Sequence, residues 1–158
     1  TGSGAIAVSL AHSRKDLEIT AADISHDAIE VAKSNAVDIL GPDEIEFIEG
    51  DLFGPVAGRT FNLIVSNPPY VDPEKKTSLQ KDLMYEPERA LFAEKRGTAV
   101  IERILSEAGN FLEPGGMLIL EIGEHMKDYI LRTGRDAKYD VSTLNDYSGL
   151  PRVAILKS

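Results

Sequence analysis

Short apolar runs alternate along this chain with segments in which apolar positions recur every three or four residues. The first pattern predicts buried strands, and the second predicts helices that pack one face against them. In order, the pattern predicts a helix over 5–13, a strand over 17–23, a helix capped by Ser25 and ending near Leu40, and strands over 45–50 and 61–66. Such alternation is typical of an α/β domain.

The pattern breaks after Ser66 and becomes regular again near Gly97. Residues 67–93 contain several prolines and no steady period, which predicts a long irregular segment, and such segments inside compact domains are often functional. Beyond it we expect a helix over 97–112, a turn at 113–116 leading into a strand over 117–122, a helix over 124–133, and strands over 139–144 and 152–156. No repeat or linker interrupts the chain, so we expect one domain over residues 1–158.

Charge and composition narrow the classes of function. With 26 acidic and 17 basic residues, the net charge of −9 argues against a broad phosphate-binding surface, so nucleic acid is not expected as the direct substrate. The absence of cysteine excludes disulfides and thiolate metal sites. The three histidines lie on different predicted elements, so no metal site is predicted. No apolar run has membrane-spanning length, and a cytoplasmic location is expected by default.

Three short sequences fall where the carboxyl ends of successive parallel strands are expected, which is where open sheets bind ligands. Thr1-Gly2-Ser3-Gly4 leads into a helix, so its backbone can approach a ligand closely and offer N–H donors. Asp23 can accept hydrogen bonds from two ribose hydroxyls. Asp51 and Leu52 can border an adenine ring. The structural alternatives are a plain glycine turn, a helix cap and a turn aspartate.

A nicotinamide dinucleotide is a rival cofactor for this pattern. Its fingerprint requires a further glycine in the first helical turn, because the helix must approach the first strand closely there. This chain has Ala5-Ile6-Ala7 at that place. The dinucleotide is therefore disfavoured.

Asn67-Pro68-Pro69-Tyr70 follows a buried strand and is the most informative sequence in the chain. An amide nitrogen is a poor nucleophile, and two fixed acceptors, one for each hydrogen, would orient it towards an electrophilic carbon. The side-chain oxygen of Asn67 and the carbonyl of Pro68 can supply these acceptors, since the prolines restrict the backbone, while Tyr70 can cover a planar group. The tetrad therefore favours methyl transfer to a planar amide or amine nitrogen over an ordinary proline turn.

The tetrad occurs within VSNPPYVD, and the sequences TGSGAIA, EGDLF, YEPERALFA, LILEIGEH and DYSGLPRVAIL accompany it in this chain. With these motifs the sequence resembles the peptide chain release factor glutamine methyltransferases (the HemK/PrmC family). The resemblance implies a Rossmann-like methyltransferase fold, with a mostly parallel sheet of seven strands and an antiparallel last strand. It also implies that the cofactor is S-adenosylmethionine. The methyl acceptor would be the glutamine of the Gly-Gly-Gln motif in release factors, and a release factor would therefore be the protein partner.

The resemblance also implies a role for each matching residue. The methionine part of the cofactor would lie against the glycine loop, the ribose against Asp23, and the adenine against Asp51 and Leu52. The glutamine amide would be held by the tetrad, and Arg152 and Glu86 would only shape the sheet end and the loop. The cofactor-binding residues implied are Thr1, Gly2, Ser3, Gly4, Asp23, Asp51, Leu52 and Asn67, and the catalytic residues are Asn67, Pro68, Pro69 and Tyr70.

Relative to that family, the sequence lacks the first strand and the amino-terminal helical domain. We expect the native protein to contain the strand, because it lies in the middle of such a sheet. Three alternative functions remain. The first is a glutamine methyltransferase for a ribosomal protein, and the second is an adenine or guanine methyltransferase for DNA or RNA, which would require a basic cleft near Tyr70. The third is a non-catalytic remnant that only binds a partner.

Overall fold

The computed structural model describes residues 1–71 and 97–158. The chain forms two compact units, Thr1–Ala57 and Gly58–Ser158. Most of the predicted irregular segment lies outside the described residues. Glu86 and three lysines of that segment, Lys75, Lys76 and Lys81, are among the residues that are not described. Within the described ranges, no helix combines the length and the apolar character that crossing a membrane requires.

The first unit contains two helices and a two-stranded parallel sheet. Strands β1 and β2 pair in register from Thr20 opposite Glu46 to Asp23 opposite Glu49, so their carboxyl ends lie side by side. Helix α2 contacts α1 and both strands. The elements in chain order are α1 (Ala5–Ser13), β1 (Thr20–Asp23), α2 (His26–Leu40) and β2 (Glu46–Glu49).

Helix α2 begins and ends at the residues that its sequence predicts. The Ser25 side chain accepts a hydrogen bond from the Ala28 N–H, which satisfies a donor that the helix itself leaves unpaired. Gly41 ends the helix with a φ of 101°, a conformation that favours glycine. At the last turn, Leu40 packs against the core, whereas the apolar side chain of Ile39 is 57% exposed.

The second unit is built on a four-stranded sheet with the order β3-β4-β6-β5. Strand β4 runs parallel to β3, whereas β6 runs antiparallel to both β4 and β5. The prediction of a mostly parallel sheet with an antiparallel last strand is therefore confirmed. The described elements are β3 (Phe61–Ser66), α3 (Ala99–Glu107), β4 (Leu112–Glu121), α4 (Lys127–Asp136), β5 (Asp140–Asn145) and β6 (Pro151–Lys157).

Several boundaries in this unit differ from the prediction; for example, α4 spans Lys127–Asp136 rather than 124–133, because residues 124–126 form a 3-10 turn. Helix α3 ends at Glu107 and continues only as a 3-10 turn, because Gly109 and Asn110 are poor helix formers. Strand β4 already begins at Leu112, and residues 113–116 form a bulge within it rather than a turn before it. Gly115 permits this bulge, since its φ is 78°.

Candidate functional site

The glycine loop at the start of the first unit is a tight turn that leads directly into α1. Gly2 and Gly4 have φ angles of 57° and 79°, and the Gly4 N–H donates to the Thr1 carbonyl at 3.0 Å. Gly4 has no side chain that could cap α1, so the helix start can offer its N–H groups to an anionic ligand. No described atom lies within 4 Å of the position that a Cβ on Gly2 would occupy, which leaves room for a ligand there.

Asn35 holds this loop in place. Its side-chain Nδ2 donates a hydrogen bond to the Ser3 carbonyl at 2.9 Å, which ties the loop to α2. Asn35 is not among the site residues that the sequence predicts. A signal was nevertheless present, since Asn35 follows Ala32 by three residues and precedes Ala36, so a polar side chain interrupts the apolar stripe of α2.

Asp23 lies beside the glycine loop at the carboxyl end of β1. Its Oδ2 accepts a hydrogen bond from the Gly2 N–H at 2.8 Å, and its Oδ1 accepts from the Ser25 N–H at 2.9 Å. Its carboxylate therefore stabilises both the glycine loop and the turn that precedes α2. An ionised carboxylate offers about four acceptor positions, so capacity remains for a further donor.

Asp51 and Leu52 follow β2 at the same edge of the sheet. The Gly50 N–H donates to the Asp23 carbonyl at 2.8 Å, which joins the two strand ends. A Cβ on Gly50 would overlap Pro55, so only glycine fits there. Leu52 has a φ of 47°, which is costly for a branched side chain and is a kind of strain that concentrates at functional sites. The first unit thus brings its predicted cofactor residues together at one edge.

The tetrad begins directly after β3 in the second unit. Ser66, the last residue of β3, pairs with Leu120, so the tetrad emerges beside the carboxyl end of β4. Pro68 is buried, while the Asn67 side chain is exposed and accessible to a ligand. This arrangement anchors the backbone at the proline and leaves the neighbouring amide oxygen available as an acceptor.

Tyr70 is half-buried and hydrogen-bonded to the end of β4. Its phenolic hydroxyl donates to Glu121 Oε1 at 3.0 Å. Burial raises the pKa of Tyr70, and the Glu121 carboxylate raises it further, so the phenol remains a donor at neutral pH. Glu121 is not among the predicted site residues, although an acidic residue at the end of a buried strand can be recognised from the sequence.

Arg152, at the start of β6, lies near the same phenol and opposes this rise in the pKa of Tyr70. Its Nε and Nη2 each donate to Asp146 Oδ2 at 3.2 Å. Asp146 Oδ1 accepts from the N–H groups of Ser148 and Leu150, which closes the turn between β5 and β6. The arginine therefore connects this turn to the surroundings of Tyr70.

The histidines are not gathered into a site. His26 Nδ1 lies 3.0 Å from Glu49 Oε2 on an exposed surface, and His12 and His125 are exposed as well. Over residues 1–71 and 97–158, no group of three or more histidine, aspartate or glutamate side chains is arranged to hold a metal ion.

Comparison with known proteins shows where this sequence belongs. Residues 1–97 match the family model described as "Methyltransferase small domain". A release factor glutamine methyltransferase of Salmonella typhimurium is 38% identical over 97% of this chain and 55% of its own length. A ribosomal protein uL3 glutamine methyltransferase of Neisseria gonorrhoeae is 44% identical over 82% of this chain and 43% of its own length. The chain thus spans about half the length of these relatives.

Structural comparison supports the same fold. A methyltransferase crystal structure from Pyrococcus furiosus superposes with a TM-score of 0.72 at 22% identity, covering 99% of this chain and 71% of that one. The predicted resemblance to the release factor glutamine methyltransferases is confirmed by the sequence relatives, and the predicted Rossmann-like methyltransferase fold by the structural one. Because the family model covers more than half of its residues, this chain belongs to the methyltransferase small domain family.

Proposed function

We propose that this chain is the catalytic part of an S-adenosylmethionine-dependent enzyme that methylates the side-chain amide of a protein glutamine, namely the glutamine of the Gly-Gly-Gln motif in peptide chain release factors. The observation that carries this proposal is the alignment with a release factor glutamine methyltransferase over 97% of the chain. The tetrad after β3, with its exposed asparagine and buried proline, has the acceptor groups that this chemistry needs.

The first unit has a donor and acceptor set that fits this cofactor. The uncapped N–H groups at the start of α1 suit the carboxylate of its methionine part, which would lie against the loop formed by Thr1, Gly2, Ser3 and Gly4. The Asp23 carboxylate retains acceptor capacity for ribose hydroxyls beside the Gly2 and Ser25 N–H groups, while Asp51 is exposed and Leu52 half-buried, as an adenine would require. The bound cofactor would supply an electrophilic methyl group carried on a positively charged sulfur.

The tetrad would orient the acceptor. Asn67 Oδ1 and the Pro68 carbonyl would each accept one hydrogen of the glutamine NH2 group, so that its nitrogen lone pair points at the methyl carbon. Both oxygens would stabilise the positive charge that develops on the nitrogen as it accepts the methyl group, and one of its protons would finally be lost to solvent. Orientation can contribute about 7–11 kcal/mol, and each preorganised acceptor about 3 kcal/mol.

Asn67 would also border the cofactor, and Pro69 would stiffen the backbone between the two acceptors and Tyr70. The proposed protein partner places the reaction in the cytoplasm, where release factors act. No direct contact with nucleic acid is required, in agreement with the acidic balance of the chain.

A ribosomal protein is the second candidate acceptor, since the uL3 glutamine methyltransferase has the higher identity, 44%, over a shorter alignment. The deciding experiment uses the full-length protein with labelled S-adenosylmethionine and offers a release factor, protein uL3 and oligonucleotides side by side. We expect label on the Gly-Gly-Gln glutamine, located by mass spectrometry. Label on uL3 alone would select the second candidate, and label on oligonucleotides alone would overturn both. Failure of the full-length protein to bind the cofactor in calorimetry would indicate a non-catalytic remnant.

A further inference from the structure

The side chain of Tyr70 is held on several sides by residues that the proposed reaction does not yet use. Its hydroxyl donates to Glu121 at 3.0 Å, and Arg152 lies near enough to act on its charge. Its ring edge lies over Gly123, where an added Cβ would come within 3.3 Å of Tyr70 Cδ2. The tyrosine is thus held by the carboxyl end of β4 and the residues that follow it.

We propose that Glu121 is a positioning residue of the acceptor site, which holds the Tyr70 ring so that it forms a fixed wall against the planar amide of the substrate. This inference rests on the proposed function, since it assumes that Tyr70 covers the acceptor. Glu121 itself need not touch the substrate.

The position of Glu121 explains why it can do this. Strands β3 and β4 are parallel neighbours, so the tetrad and Glu121 leave the sheet at the same edge. Glu121 also pairs with Val153 of β6, which fixes its backbone from the other side. A tyrosine anchored only by its backbone could rotate about its side-chain bonds, whereas one whose hydroxyl is bound to a strand end cannot do so freely. The hydrogen bond therefore restricts the ring to one orientation.

The hydrogen bond between Tyr70 and Glu121 could instead have a purely structural role, which would be to attach the segment after β3 to the sheet. The two roles predict different losses. A structural tie would reduce the free energy of unfolding and would weaken cofactor and acceptor binding together. A positioning role would act on the acceptor step alone.

Four variants of the full-length protein separate these roles. Glu121→Ala removes the acceptor of the tyrosine hydrogen, and Tyr70→Phe removes the donor but keeps the ring. Glu121→Gln keeps an oxygen that can accept the same hydrogen bond, so it should restore function. The double variant Glu121→Ala with Tyr70→Phe tests whether the two side chains act as one unit.

A second tyrosine–glutamate pair in the same unit provides a matched control. The Tyr129 hydroxyl of α4 donates to Glu102 Oε1 of α3 at 2.8 Å. Glu102→Ala removes this hydrogen bond and that of the Thr98 hydroxyl at 2.9 Å, neither of which involves the tetrad. It should lower the free energy of unfolding at least as much as Glu121→Ala, but leave the kinetics of the acceptor unchanged.

We expect Glu121→Ala to lower kcat/KM for the protein acceptor by about tenfold or more, because a small displacement of a reacting group is costly. Cofactor affinity should remain within about twofold of wild type, because the variant removes no group that contacts the bound cofactor. Tyr70→Phe and the double variant should show the same loss as Glu121→Ala, and Glu121→Gln should keep most of the activity. If kcat/KM fell in Tyr70→Phe but not in Glu121→Ala, the proposal would be overturned. Equal decreases of kcat/KM in Glu121→Ala and Glu102→Ala would overturn it as well.

Fluorine NMR with 3-fluorotyrosine gives a readout that does not depend on turnover. The Tyr70 signal is assigned by its absence in Tyr70→Phe, and Glu121→Ala should shift it or change its line width. If wild type methylates no glutamine, the proposed function fails while this signal still reports whether Glu121 fixes the ring. If wild type is active and Glu121→Ala matches it, only the role of Glu121 is wrong.

Discussion

Gly4 and Ala32 bring the glycine loop into direct contact with α2, since a Cβ added to Gly4 would lie 3.0 Å from the Cβ of Ala32 and 3.3 Å from its Cα. Asn35, almost one helical turn further along α2, holds the carbonyl of Ser3 at 2.9 Å. The loop that we expect to bind the cofactor is therefore fixed to α2 at two successive points.

The first prediction concerns this close approach. Gly4→Ala should destabilise the full-length protein by more than about 1–2 kcal/mol, because alanine pays about that much for the left-handed backbone and its methyl group must also displace Ala32. Gly2→Ala is the control, since Gly2 has a similar φ of 57° but open space beside it. Urea unfolding should show the larger loss for Gly4→Ala, and equal losses would contradict the packing argument.

The second prediction concerns Asn35. Asn35→Ala leaves the Ser3 carbonyl without its protein donor, so the free energy of unfolding should fall by about 0.5–1.5 kcal/mol. Cofactor affinity should also fall, because the loop is no longer held in its binding conformation. Calorimetry measures this affinity, and Ser34→Ala, at an exposed neighbouring position of α2, is the control. Unchanged affinity in Asn35→Ala would show that the loop is positioned without this bond.

The third prediction concerns Asn67. Asn67→Ala should reduce turnover about a hundredfold or more while cofactor affinity falls far less, because the lost acceptor acts mainly on the developing charge. Asn62→Ala, at an exposed position of β3, should leave both quantities unchanged. Single-turnover kinetics and calorimetry make the test. A variant that keeps its full rate would rule out Asn67 as an acceptor for the amide.

The fourth prediction concerns the pH dependence of the turn between β5 and β6. Hydrogen bonds from the backbone N–H groups of Leu150 and Ser148, together with Arg152, lower the pKa of Asp146 below its ordinary value of 3.8. The ionised form is thus favoured by folding, so its stabilising contribution is present above that value and is lost as the pH falls through the lower, folded-state pKa. NMR titration of the Ser148 and Leu150 amides should give a midpoint below 3.8, and a higher midpoint would contradict the assignment.

Much of the local structure could be predicted from the sequence. Helix α1 and strand β3 have the bounds that their apolar patterns predict, and α2 has the predicted cap at Ser25 and stop at Gly41. These features depend on interactions within a few residues, such as a side chain capping a nearby N–H or a glycine adopting a positive φ. The tetrad itself could likewise be recognised from the sequence, because residue types in direct succession define it, and its chemistry stays a prediction.

The sequence by itself therefore determined the order and type of the helices and strands. It also determined which residue types follow the carboxyl ends of the strands. Only the tertiary structure decided which distant side chains meet: Asn35 with Ser3 across 32 positions, and Glu121 with Tyr70 across 51. It also decided the bulge at residues 113–116, which resets the pairing of β4 with β3. The physical reason is that such contacts depend on strand register and helix rotation, and a shift of one residue turns a side chain to the opposite face, which no local period encodes.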